Sequence, residues 1–234
     1  MSKDRIKFQE SIYFTMSFVM LLWLMKYIET ASSIDFSSLG ILPRTLEGSL
    51  GILTSPLVHG DFFHLFSNTF PLIFSGVATF YFYRRVAPFV FLIIYFFTGI
   101  MVWLFARNAY HIGASGLIYG LVSFLFFSGI FRKDLPAVAI ALIVVFLYNG
   151  MFLGLFPSDD GVSWETHSIG AFIGFICSFS FRKIDYYRNH IQKAEEDTEP
   201  QTDVESPFEA DNTYDNEGVN FTYTYQKKKD QSDH

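Results

Sequence analysis

The sequence predicts an all-α polytopic membrane protein: a bundle of six transmembrane helices followed by a disordered acidic tail. Three observations carry that expectation. Half of the 234 residues are hydrophobic and 19% are aromatic, with 29 Phe, while only 17% are charged, against about 25% in ordinary soluble domains. Six apolar stretches approach the roughly 20 residues that cross about 30 Å of hydrocarbon. The charge is also segregated: residues 1–185 hold 12 Lys+Arg and 11 Asp+Glu, residues 186–234 hold 5 and 12. A soluble enzyme, a nucleic-acid binder and a disulfide scaffold are poor fits to this pattern. Cys177 stands alone in an apolar run, so neither an intrachain disulfide nor a thiolate metal cluster is available.

Residues 1–10, with Lys3, Arg5 and Lys7, form a cationic cytoplasmic N-terminus. No small-residue cleavage pattern follows them, so the first apolar stretch reads as a retained span rather than a signal peptide. The membrane domain covers 11–185. Its expected spans are Ser11–Tyr27, Phe62–Tyr83, Val86–Phe105, Ser115–Phe131, Leu135–Phe156 and Trp164–Phe181. Short loops with charge, Pro or Gly separate them. The exception is Ile28–Asp61, whose half-apolar middle (TLEGSLGILTSPLVHG) reads as a structured, partly membrane-embedded connection. Lys and Arg favour the cytoplasmic side of a membrane protein. With the N-terminus inside, that side collects 14 of the 17 cations and the outside keeps Lys26, Arg44 and Arg107. Both termini are therefore expected in the cytoplasm. The tail, 186–234, is acidic and poor in aliphatic residues, the composition of a disordered segment. Its last stretch, VNFTYTYQKKKD, alternates polar and aromatic residues and reads as part of a solvated tail, with addition as a β-strand to a sheet edge as the alternative.

Polar groups inside spans are costly and mark functional sites. Four of six histidines (His59, His64, His111, His167) fall at the outer ends of spans or in adjoining loops. In the fourth span, HIGASGLIYG, Ser115 is flanked by Gly113, Ala114 and Gly116. These leave its surroundings open and place it at a helix N-terminus with free N–H groups. That suits a nucleophile whose oxyanion must be held; a small-residue packing motif is the alternative. In the sixth span, ETHSIGAFIGF, His167, Gly170 and Gly174 share one helical face, and the glycines allow close approach of a neighbouring helix. If that neighbour is the fourth span, His167 meets Ser115; otherwise it is an interfacial hydrogen-bonder. In the second span, HGDFFHLFSNTF, His64 and Asn68 lie four apart with His59 before them. They suit oxyanion donors, a metal site or an interhelical hydrogen-bond cluster. The zincin pattern is missing, because no Glu lies between the histidines.

Taken together, His59, His64 and Asn68, then Gly113, Ser115 and Tyr119, then His167, Gly170 and Gly174 resemble the motifs of the rhomboid intramembrane serine proteases. The likeness extends over roughly residues 10–185 and implies the six-span bacterial form, a rhomboid-like bundle in the plasma (inner) membrane whose active site opens to the outside. It implies that Ser115 is the nucleophile and His167 the general base and acid, a dyad without a third carboxylate. Tyr119 would stack on the His167 ring. His64, Asn68 and the Ser115 N–H would form the oxyanion hole, and His59 would support the site or its water supply. Gly170 and Gly174 would pack the sixth helix on the fourth. The partners implied are the lipid bilayer and membrane proteins cut near the outer end of a transmembrane helix; no cofactor, metal or nucleic acid is implied. Some members carry a Trp-Arg pair in the first outer loop, where this chain has Pro43-Arg44. Two other functions remain open: a catalytically inactive rhomboid-like protein that binds or escorts membrane clients, and a small-molecule transporter. The transporter is disfavoured because no repeat is visible and no charge lies mid-span.

Overall fold

The computed structural model describes residues 3–148, 150–157 and 163–184, and every regular element among them is helical. The expected tail, including Arg188, Lys193 and the final aromatic stretch, and the outer-loop carboxylates Asp159 and Asp160, lie outside the described residues. Six principal helices follow one another: α1 Lys3–Ser32, α2 Phe62–Phe82, α3 Ala87–Phe105, α4 Ser115–Arg132, α5 Leu135–Leu147 and α6 Trp164–Phe181.

Two expected spans differ from the helices that form. The first, Ser11–Tyr27, is only the apolar middle of the 30-residue α1. Its charged flanks contain no Gly or Pro, so nothing interrupts the backbone ladder until Ser33, which adopts φ 56°. The fifth, Leu135–Phe156, is interrupted. Helix α5 ends at Leu147, Tyr148 leaves the helical region at φ −106° and ψ 68°, and a single turn, Gly150–Leu153, follows. Thirteen residues rise only about 20 Å, short of the roughly 30 Å hydrocarbon core. The Asn149-Gly150 pair is a turn signal, and the carbonyls freed beyond it are taken up by the site described below. Among the described residues four helices, α1 to α4, are long and apolar enough to cross a membrane.

The exposed faces are apolar, unlike those of a water-soluble bundle, and polar side chains are buried among the hydrophobic core. Along α2, Phe62, Phe66, Phe70 and Phe74 recur every fourth residue on the exposed face, while Asn68, Thr69, Ser75 and Thr79 are buried. Three of those buried side chains satisfy themselves on their own helix, as when Thr79 Oγ1–H donates to the Ser75 carbonyl at 2.7 Å. A large apolar surface with polar groups turned inward is what a hydrocarbon solvent selects. The chain is an integral membrane protein.

Helix α4 is the centre of the bundle, with 13 of its 18 residues buried. The α4–α6 contact is backbone on backbone. A Cβ built on Gly170 would overlap the Gly116 carbonyl, and one on Gly174 would overlap the Gly120 carbonyl. Helix α1 lies against α2 through Thr15 on Gly76 and a Trp23 Nε1–H bond to Thr69 Oγ1 at 3.1 Å. Contacts at both ends define the bundle's polarity. At one end Arg132 donates to the Phe181 carbonyl at 2.7 Å and lies 4.5 Å over the Tyr83 ring, and Glu10 pairs with Arg84. At the other, Lys26 Nζ donates to Glu29 and to the carbonyls of His59 and Gly60 at 2.7, 2.9 and 3.0 Å. The Ser115 N-terminus of α4 lies at this second end.

The long connection between α1 and α2 is structured. It contains single turns at Ser37–Leu39, Leu46–Ser49, Gly51–Thr54 and Ser55–Leu57. It is tied down by an Ile41–His111 bridge, by Arg44 donating to the Ala106 carbonyl at 2.8 Å, and by Tyr95 O–H on the Leu53 carbonyl. Leu46, Leu50 and Leu53 are exposed along it.

Candidate active site

The chain enters α4 through Gly113, at φ +103°, a region that side-chain-bearing residues rarely occupy. A Cβ there would also come within 2.8 Å of the His64 ring, so only glycine lets the second helix's imidazole approach this turn. The Gly113 N–H donates to the Ser55 carbonyl at 2.9 Å, which holds the turn against the long connection. Ser115 follows as the first residue of α4.

Its Oγ–H donates to His167 Nε2 at 2.8 Å, across 52 positions of sequence. The other ring nitrogen, Nδ1, lies 2.9 Å from the Gly154 carbonyl. A carbonyl only accepts, so Nδ1 carries the proton and Nε2 presents its lone pair to the serine. The Tyr119 ring stacks on the imidazole with centroids 4.1 Å apart and planes 8° from parallel. Its O–H is anchored on the Met151 carbonyl at 2.7 Å. Ser168 O–H binds the Leu155 carbonyl at 2.6 Å. Three carbonyls of the segment after the α5 break therefore grip the histidine, its stacking partner and its neighbour. Gly116 sits where a Cβ would press on Thr166 and Thr98, which brings α3, α4 and α6 together beneath the serine. A cavity of about 20 Å³ lined by Ser55, Thr98, Gly113, Gly116 and Thr166 lies there, room for about one water molecule.

The α2 side is held by Asp61, which caps the helix by accepting the His64 N–H at 2.7 Å. That bond keeps its carboxyl below the usual carboxylate range. Asn68 is buried and donates one amide N–H to the His64 carbonyl at 2.9 Å, leaving the second. The rings of His59 and His64 meet edge-to-face at 5.1 Å. His59 Nε2 accepts from the Ala114 N–H at 3.4 Å, so this imidazole is a backbone strut under the Ser115 turn. Burial, reinforced by the neighbouring His64, pushes its pKa down to about 3. Its neutral state is the one that can accept.

Residues the sequence motifs do not single out complete the arrangement. The Gly154, Met151 and Leu155 carbonyls leave no side-chain signature, and only the Asn149-Gly150 turn pair points to that region. Lys26, which fastens the His59–Gly60 turn, reads in sequence only as an outside cation at the end of the first span. His111 lies apart from the serine and joins loops: Nδ1 contacts Ser163 Oγ at 2.5 Å and Nε2 contacts the Arg107 carbonyl at 3.0 Å. Among the described residues no three His, Cys, Asp or Glu side chains gather closely enough to hold a metal ion. Chemically, a serine hydroxyl bonded to an oriented neutral imidazole can deliver an alkoxide to an electrophile.

The rhomboid domain pattern matches residues 47–184. An uncharacterized protein of Mycobacterium tuberculosis is 34% identical over 175 residues, covering 70% of this chain and 72% of the relative. An uncharacterized protein of Mycobacterium leprae is 30% identical over 173 residues, covering 70% and 68%. A protein of Arabidopsis thaliana named inactive RHOMBOID-like protein 8 is 33% identical over 131 residues, 52% of this chain and 35% of that protein. The chain belongs to the rhomboid family, a class of integral membrane proteins.

Proposed function

We propose that this rhomboid is an intramembrane serine endopeptidase that cleaves transmembrane segments of other membrane proteins. The observation that carries the reading is the 2.8 Å bond from Ser115 to a His167 whose tautomer and plane are both held. Ser115 Oγ attacks the scissile carbonyl while His167 Nε2 takes its proton. The tetrahedral oxyanion is held by the Ser115 N–H at the head of α4 and by donors from His64 and Asn68. His167 then returns the proton to the leaving amine, and water, activated by the same imidazole, releases the acyl chain. The Gly154 carbonyl and the Tyr119 ring do the orienting that a carboxylate does in a triad. His59 keeps the Ser115 turn in place.

The same reading covers the topology. In it six spans leave both termini on one side, which the excess of Lys and Arg assigns to the cytoplasmic face of a bacterial inner membrane, and the serine opens to the outside. Helix α5 with the turn Gly150–Leu153 is the fifth span, helix α6 is the sixth, and 11–185 is the membrane domain. The substrates are membrane proteins presenting a transmembrane helix to the outer end of the bundle.

A second reading, a rhomboid that binds clients without cutting them, draws on the printed name of the Arabidopsis relative. The experiment is to reconstitute the full chain and treat it with a fluorophosphonate. Labelling of Ser115 that is lost in His167→Ala, with mapped cuts in single-span substrates, supports the protease. An unlabelled serine and uncut substrates that nevertheless bind support the second reading.

A further inference from the structure

We propose that the groove between α1, α2 and α5, at the Arg132 end of the bundle, binds an anionic glycerophospholipid. One acyl chain lies in the groove and the head group rests against the cations around it. The groove is about 630 Å³ and is lined by Phe8 and Ile12 of α1, Ile73 and Val77 of α2, and Ile140 and Val144 of α5, with no charged residue among its walls. It is separate from the serine site, because α2 contributes His64 and Asn68 from its first two turns and the groove wall from its last three.

Depth selects the occupant. On α2 the wall runs from Ile73 to Phe82, nine steps or about 13.5 Å. On α5 it runs from Ile140 to Val144, and that deeper end lies nine residues, about 13.5 Å, beyond Leu135, where the helix begins. Half of a hydrocarbon core of about 30 Å is about 15 Å. The groove is therefore as deep as one leaflet, and it opens at the level where head groups lie. A transmembrane helix from a partner would need the wall to continue through the other leaflet.

The rim selects the head group. Arg84 and Arg85 are exposed just after α2, Lys133 is exposed two residues before α5, and Lys7, partly exposed, comes one residue before the wall residue Phe8. Arg84 pairs with Glu10, yet both side chains stay about half exposed (55% and 49%), and Lys7 pairs loosely with Asp4 at 3.4 Å. Around the rim Arg5, Lys7, Arg84, Arg85 and Lys133 stand against the carboxylates Asp4, Glu10 and Asp134. Basic clusters beside transmembrane helices attract anionic lipid, each cation contributing about a fivefold preference.

The test is native mass spectrometry of the full chain in mild detergent, titrated with phosphatidylglycerol or with phosphatidylcholine of identical chains. The wild type retains phosphatidylglycerol preferentially. Lys7→Gln with Arg85→Gln lowers that preference about twenty-five-fold while leaving phosphatidylcholine binding unchanged. Val77→Trp and, independently, Ile143→Trp fill the groove and lose both lipids, with unchanged helical circular dichroism showing that the bundle is intact. Equal retention of the two lipids by the wild type overturns the proposal. So does phosphatidylglycerol retained undiminished by both tryptophan variants, or a dimer of the chain that persists under excess phosphatidylglycerol and disappears in those variants.

Discussion

Gly113→Ala isolates the contribution of a single turn to the proposed chemistry. Alanine at φ +103° carries backbone strain of about 1–3 kcal/mol. Its Cβ would also lie 2.8 Å from both Cε1 and Nε2 of His64. Ordinary contact begins near 3.4 Å, so the imidazole must give way by several tenths of an ångström or the turn must relax. Either movement separates His64 from the head of α4. Loss of one oxyanion donor costs about 3–4 kcal/mol of transition-state stabilisation, which is roughly a 10²–10³-fold fall in cleavage rate. The matched control is Gly60→Ala, where a Cβ would meet only Ile112 Cδ1 at 3.8 Å and no positive φ is needed. The assay is cleavage of a reconstituted single-span substrate, followed by gel and mass spectrometry, beside thermal unfolding in the same detergent. Gly113→Ala is expected to lose at least a hundredfold in rate with a modest fall in melting temperature, and Gly60→Ala neither. Wild-type cleavage by Gly113→Ala would refute the reasoning that places His64 in the oxyanion site.

Four further outcomes follow from the same geometry. Ser115→Ala and His167→Ala abolish cleavage, whereas Tyr119→Phe, which keeps the stacked ring and loses only the bond to Met151, retains more activity than Tyr119→Ala; initial rates check the order. Gly174→Leu drives a side chain into the Gly120 backbone and lowers the melting temperature sharply, since overpacking costs about 1–3 kcal/mol or more. Lys26→Met strands the nearly buried Glu29 and two carbonyls and destabilises by about 3–5 kcal/mol in a chemical-denaturation titration, the cost of breaking a buried pair. For pH, the folded His59 binds its proton only near pH 3, against about 6.5 when unfolded. The unfolded state therefore holds more protons between those values. The His59 contribution is fully present above pH 6.5 and is lost as pH falls toward 3, with a slope of up to about 1.4 kcal/mol per pH unit. His59→Gln should flatten that slope; an unchanged slope counts against a neutral, buried His59.

Much of the fold was legible along the chain because hydrocarbon imposes a simple local rule. A helix that must satisfy its own backbone while facing lipid needs a long apolar stretch, and α2, α3, α4 and α6 begin and end within a residue or so of where those stretches do. The rule fails at α1, since apolarity ends before helicity does. It fails at α5 for the opposite reason: apolarity continues through Phe156, but the backbone turns at Tyr148. Of the site, the side chains with unusual chemistry were visible as types and spacings. The carbonyls of Met151, Gly154 and Leu155 were not, because every residue has one and only position distinguishes them.

Composition and local pattern alone thus determined that this is a helical membrane protein, and which serine, histidines and asparagine are out of place in lipid. Whether those groups touch was decided by the packing of α4 on α6, where glycine backbones meet without intervening side chains and bring Ser115 and His167 together. The orientation of the imidazole was decided by the broken fifth helix, whose freed carbonyl fixes one tautomer. Contacts between residues distant in sequence depend on the geometry of several elements at once, and no local stretch of chain encodes that.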